Sequence, residues 1–270
     1  MDTKRFDERR IKEARRAFGE TVRKFRRANP GGTYDRGFYD FVNGKYEEKM
    51  RELGDPEWTL VHEAGHYLAA RLAGRRVQAV SFVPIIRLRR YERDGKTFIE
   101  STLSGGHITL EAPPTFGTAE EAKLYTAENA FIMAAGWAAE KAILGIDDAF
   151  GAENDYDLFH RIAAEMGVNV EGVWDIALGQ AEAMCADAAE QDAVRRLAQV
   201  FCGYSGGRLL EEAEKVFRRY EEAYGRDKMQ RQHSGTREGN HREADGQQDG
   251  LHRSYDRGGQ SCGQQAGIGA

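Results

Sequence analysis

TLVHEAGHYLAA, residues 59–70, sets two histidines four positions apart with a glutamate directly after the first. On a helix, residues i and i+4 stand one above the other on a single face, so the imidazoles of His62 and His66 can converge on one metal ion. Glu63 then stands beside the ion's open coordination position. Zinc suits such a set, because imidazole nitrogen and carboxylate oxygen are both good ligands and a catalytic site needs only three protein ligands with water as the fourth. The ion lowers that water's pKa to about 7, and Glu63 is the base placed to take its proton. The competing reading is a pair of ordinary helix histidines with no ion.

The flanking residues place the string on a helix. Asp55 and Pro56 supply an N-cap and a first-turn proline, Trp58, Val61, Gly65, Leu68 and Leu72 recur at helical spacing, and Gly74 stops the run. Upstream, Phe6, Ile11, Ala14, Phe18, Val22 and Phe25 recur mostly at three- and four-residue steps within a stretch rich in Arg and Lys. They predict a basic amphipathic helix over residues 3–28, ending at the breaker NPGG (29–32). Its apolar stripe is expected to pack on the domain; binding to an anionic membrane, nucleic acid or a partner is the second reading. The segment FYDFVNGKYEEKMREL (38–53) links the two without a type of its own.

Downstream, VQAVSFVPI (77–85), KTFIEST (96–102) and GHITLEA (106–112) are rich in β-branched and aromatic residues and separated by charged or Gly-containing turns. They read as a small antiparallel sheet. Thr118 and Glu121 form a capping box for a long helix reaching about Leu144, whose second half, FIMAAGWAAEKAIL, is apolar on most sides and central to the core. The loop GIDDAFGAEND (145–155) then leads to helices near 155–166, 172–202 and 207–224. From about Gly225 large apolar residues almost vanish, and 226–270 reads as a disordered tail. The expected division is a basic helix over 1–30, a domain over 31–225 and the tail, in a mainly α (α+β) fold.

Composition narrows the function classes. A chain of 270 residues, 40% hydrophobic and 31% charged, can bury one substantial core. Its net charge of -5 marks no general basic surface, so no nucleic-acid partner is expected. Cys185, Cys202 and Cys262 form no Cys-x-x-Cys pair, which argues against a disulfide framework or a cysteine-based zinc site and for a reducing compartment. The most apolar run, AFIMAAGWAA (130–139), is too short to span a bilayer, and the N-terminus has no signal-like stretch, so a cytoplasmic protein without a transmembrane segment is expected. The string DGKT (94–97) has Arg90 where a phosphate-binding loop needs its first glycine, and it predicts no nucleotide site.

Spacing alone leaves the third ligand open. The zinc-protease pattern that continues with Gly and a third His is excluded, because Ala69 and Leu72 hold those positions. His107 falls in a predicted strand and His160 in a later helix, while Asp147, Asp148, Glu153, Asp155 and Asp157 form an acidic cluster that offers several carboxylates. Read by itself, Asp155 suits the N-cap of the following helix.

HEAGH (62–66), AVSFVP (79–84), GGHITLEAPP (105–114), AGWAAE (135–140) and GAENDYD (151–157) stand in the order seen in the peptidase domain of the FtsH-type, membrane-anchored AAA+ zinc proteases. Over about residues 55–170 the chain resembles this M41 peptidase family. The resemblance implies a helical zincin-type metallopeptidase domain, with Zn2+ held by His62, His66 and Asp155 and with Glu63 as general base. It matches Glu140 to an acidic residue able to hydrogen-bond a ligand histidine, a solvent-facing glutamate being the alternative. It also implies that 106–111 is an edge strand for extended substrate, where His107 is either merely exposed or a donor to the developing oxyanion. The family's Arg and second Glu around Glu140 are here Trp137 and Lys141, and its ATPase module and membrane anchor are not matched. The expectation is an ATP-independent zinc endopeptidase acting on flexible or unfolded protein segments. The alternatives are a non-catalytic zinc-stabilised interaction or regulatory module, and a peptidase working with a separate ATPase; a homo-oligomer is a further expectation of the resemblance.

Overall fold

The computed structural model describes residues 1, 3–52, 56–83, 85–93, 96–104, 106–146 and 150–224. Along the chain these form α1 (Lys4–Ala28), α2 (Arg36–Glu52), α3 (Pro56–Leu72), β1 (Val77–Ser81), β2 (Ile85–Arg93), β3 (Lys96–Ser104), β4 (His107–Leu110), α4 (Ala119–Leu144), α5 (Phe150–Glu165), α6 (Val173–Ala186), α7 (Ala188–Gly203) and α8 (Gly206–Tyr224). The architecture is mainly helical with a small antiparallel β component. Asp55, Asp147, Asp148 and the tail 226–270 lie outside the described residues.

α3 occupies the centre because almost nothing on it needs water. Leu60, Val61, Ala64, Tyr67, Leu68, Ala69, Ala70 and Leu72 are all buried. It packs on α4 through small residues of both helices, with Ala134, Ala135, Ala138 and Ala139 in the same core as Ala64 and Ala69. The backbones approach so closely that a Cβ on Gly65 would collide with the Ala135 carbonyl and stand 2.7 Å from the Ala139 methyl. Gly74 ends α3 with φ +72, and Arg75 N–H returns to the Ala70 carbonyl. α4 starts at the expected capping box of Thr118 and Glu121 and ends on left-handed Gly145.

The basic first helix belongs to the same compact unit, Met1–Met229, as the rest of the described chain. Phe6 meets Phe82 edge-on at 5.2 Å in the main core, and Arg10, only 4% exposed, joins Asp7 to the Thr59 hydroxyl at the start of α3. Phe18 and Phe25 pack with Phe38 and Val42 of α2 in a second cluster. The unassigned segment is therefore helical over its described residues 38–52, since Phe38 and Val42 are four apart and must share one face to cover α1.

The β region differs from the expected single sheet. β1 pairs with β4, Ser81 opposite His107, while β2 and β3 form a separate antiparallel ribbon with Ile85 opposite Ser104 and Arg93 opposite Lys96. The charged residues 86–93, expected as a turn, belong to a strand. Alternation explains this: Leu88 and, across the ribbon, Ile99 pack against the α1/α2 cluster, while Arg89, Tyr91 and Arg93 point the other way into water. The helix expected over 172–202 is two helices, broken at Asp187, which is extended (ψ 133) and caps α7 by accepting from Ala189 N–H. No described helix is long and apolar enough to cross a membrane.

Candidate metal centre

One face of α4 is spaced to receive one face of α3. Ile132, Gly136 and Glu140 recur every four residues and so share a stripe, as His62 and His66 do. Because the helices run in opposite directions, the early histidine meets the late residue. His62 Nδ1 lies 2.5 Å from Glu140 Oε1, and His66 Nδ1 lies 2.7 Å from the Ile132 carbonyl oxygen. A carbonyl only accepts, so His66 carries its hydrogen on Nδ1 and presents a lone pair at Nε2; a carboxylate orients His62 in the same way. Glu140 is fully buried, and the carboxylate is pointed at the ring rather than at solvent.

Both Nε2 atoms aim at one point, 2.8 Å apart. Asp155 Oδ2 completes the triangle at 3.2 Å from His62 and 3.3 Å from His66. That oxygen is buried and has no hydrogen-bond partner, as expected when the facing nitrogens offer lone pairs instead of hydrogens. His62, His66 and Asp155 offer ligand atoms that all lie within 4.8 Å of one another. Three lone-pair donors turned inward repel unless positive charge sits between them, and this donor chemistry fits a metal ion.

Electrostatics points the same way. Burial opposes a charge on His62, yet Asp155 and Glu140 outweigh it and push its pKa well above the ordinary histidine value. His66 is raised in the same sense, burial and His62 opposing and Asp155 prevailing. Asp155 is buried, which disfavours its anion, but the two histidines hold its carboxyl well below the usual carboxylate range. The gap between the three side chains is thus a place that stabilises positive charge.

Asp155 reaches the site from within α5. The helix begins at Phe150, so residues 150–155 are not loop and Asp155 is not an N-cap; it lies in the second turn, with Phe159 one turn later buried against α4 and α6. The same anchoring turns Asp157 away, where it is exposed. Among the described residues His107 and His160 stand outside the metal-ligating group. His107 opens β4 half-buried, its Nδ1 without a hydrogen-bond partner, and burial lowers its pKa.

Glu63 is buried beside the triad, 3% exposed, with Oε2 unpartnered. Burial raises its pKa, the direction wanted for a base that must take up and give back a proton near neutrality. Gly106 presses directly on it: a Cβ there would stand 2.7 Å from Glu63 Oε1 and 2.8 Å from its Cγ. Gly136 does the same for the ligands, since a Cβ would stand 2.6 Å from His66 Cε1 and 2.7 Å from His62 Cε1. Neither glycine follows from the histidine string, though the four-residue series Ile132, Gly136, Glu140 is visible once α3 and α4 are known to be antiparallel.

Gly136→Ala is therefore expected to displace both rings and to weaken metal binding by about 10–100-fold, the loss typical of disturbing a ligand's immediate support. Competition with a chromophoric chelator measures it. Gly179→Ala in α6, where a Cβ meets nothing within 4 Å, is the control. There the better helix former is expected to stabilise the fold by up to about 1 kcal/mol and to leave metal affinity unchanged.

Comparison of the chain with family models, curated proteins and solved structures returns no match.

Proposed function

We propose that this chain is a zinc metallopeptidase of the M41 type, an endopeptidase that hydrolyses flexible or unfolded protein segments. The observation that carries the reading is the buried Glu63 carboxyl, its Oε2 unpartnered, set beside the convergent His62–His66–Asp155 donors. A non-catalytic zinc module needs the donors but has no use for that base, whose burial without a partner costs stability. The five ordered motifs that resemble the M41 peptidase domain support the same reading.

His62, His66 and Asp155 would hold Zn2+. When bound, the ion supplies Lewis acidity, lowering the pKa of water and polarising a carbonyl. Glu140 and the Ile132 carbonyl hold the two imidazoles in the tautomer whose Nε2 lone pairs face inward. Glu63 takes a proton from the attacking water as its oxygen bonds to the peptide carbonyl carbon. It then gives that proton to the amide nitrogen as the C–N bond breaks, leaving a carboxyl and an amine. Gly106 leaves the Glu63 side chain the space that a side chain at 106 would take. Nothing in this chemistry draws on a nucleotide; an ATPase partner would serve to unfold substrates, not to cleave them. The buried Cys185 is in no disulfide, in keeping with work in a reducing compartment such as the cytoplasm.

Zinc-loaded protein is expected to cleave unfolded casein, to stop on addition of a chelator and to resume when zinc is restored, as read by fragment mass spectrometry. Stoichiometric zinc with no cleavage across a broad unfolded-peptide library would favour the non-catalytic module.

A further inference from the structure

The β2–β3 ribbon begins at the catalytic centre. Ser104, paired with Ile85 at its base, is two residues from Gly106, whose backbone lies against Glu63. Nine paired positions carry the ribbon about 30 Å from base to turn at the usual rise per strand residue. Its two faces differ. Leu88 and Ile99 on the inner face are occupied by the α1/α2 cluster. The outer face carries Tyr91 directly opposite Phe98, their rings stacked 5.4 Å apart at 15°, and both are large apolar side chains left about 40% exposed (40% and 39%). Exposed Arg89 and Lys96 flank this pair two residues to either side, with Glu100 across the register from Arg89.

The stacked pair strengthens the pairing of the two strands, but it is not needed to hold the ribbon on the domain, because the opposite face already anchors it, and about 40% of each ring is left in water between cations. We infer that the outer face of the β2–β3 ribbon is a substrate-capture surface for extended polypeptide that carries acidic residues beside aromatic or large aliphatic ones. The stacked rings take the apolar side chains and Arg89 and Lys96 take the carboxylates, with spacing along the ribbon that matches an extended chain. The choice of polypeptide over other anionic partners rests on the peptidase reading, since the ribbon runs from this pair down to Ser104, two residues before the Gly106 that lies against Glu63. The chain's net charge of -5 also disfavours long-range attraction of a polyanion such as nucleic acid.

The test separates capture from hydrolysis. Zinc-loaded Glu63→Gln protein is titrated, by fluorescence anisotropy, into a labelled 20-residue unstructured peptide containing Glu and Phe. The comparison probes are the same peptide with Lys in place of Glu, a 20-nucleotide oligo-dT and vesicles of phosphatidylserine and phosphatidylcholine. The acidic peptide is expected to bind at least about tenfold more tightly than the Lys peptide. Arg89→Glu/Lys96→Glu and Tyr91→Ser/Phe98→Ser are each expected to weaken it about tenfold, the loss of one interface anchor. In the Glu63 protein the same variants raise KM for the acidic peptide and leave kcat unchanged, which a merely structural ribbon would not do. Unchanged binding in both variants, equal binding of the Lys peptide, or displacement of the acidic peptide by lower concentrations of oligo-dT or vesicles overturns the inference, the last two reassigning the face to nucleic acid or membrane. Ribbon-dependent binding of the acidic peptide without cleavage by the Glu63 protein sustains the capture surface and removes the peptidase reading instead.

Discussion

Glu63→Gln is expected to retain the metal and to lose peptide hydrolysis by a factor on the order of 10³, within the range of removing a positioned general base. Glutamine keeps the length and shape of the side chain, so its contact with Gly106 is preserved. The amide cannot take a proton from water or return one to the leaving nitrogen. Because Glu63 is no part of the metal-ligating group, binding of Zn2+ should change by far less than the rate does. Paired assays, zinc per chain by atomic absorption and initial rates on an unfolded peptide, read both quantities. Equal rates in the two proteins would remove Glu63 from the chemistry. Loss of zinc in the variant would mean that Glu63 binds the ion instead of the water.

Asp155→Ala is expected to lose the metal, and Asp157→Ala to keep it. Asp155 would supply one of the three ligand atoms that converge among the described residues, so its removal should cost more than the roughly 10–100-fold in affinity that an outer hydrogen-bonding partner costs. Asp157, two residues along the same helix, is exposed and points elsewhere. Thermal unfolding gives an independent measure. A ligand at 1,000 times its Kd stabilises the folded state by about 4 kcal/mol, so added zinc should raise the Tm of the unaltered protein and of Asp157→Ala but not of Asp155→Ala. Zinc retained in Asp155→Ala and lost in Asp157→Ala would reverse the assignment.

Much of the helical frame is legible in the sequence because its signals are local. The capping box of Thr118 and Glu121 starts α4 where it is expected, Pro56 opens α3, and Gly74 and Gly145 end their helices at positive φ. β3 was expected as a strand, but its partner β2 was hidden for an equally physical reason. One strand of a two-stranded ribbon with a wet face alternates apolar and charged residues, and in IIRLRRYER the charges mask the period-two pattern. The start of α5 was hidden because GAEND carries Gly, Asn and Asp, which favour loops when read locally, whereas Phe159 packs that helix into the core.

The sequence by itself determined that His62, Glu63 and His66 ride one helix, because their spacing and the helix period are both intrinsic to the chain. It also carried, through the resemblance, the naming of Asp155 out of five acidic candidates. Only the tertiary structure decided where these groups meet. Antiparallel packing of α3 on α4 turns Glu140 and the Ile132 carbonyl onto the two Nδ1 atoms and leaves room for the rings above Gly136, and the start of β4 sets Gly106 against Glu63. Those contacts join residues 43 to 78 positions apart, and such separations are bridged only by the burial of the alanine-lined faces between the helices and by the pairing of β1 with β4.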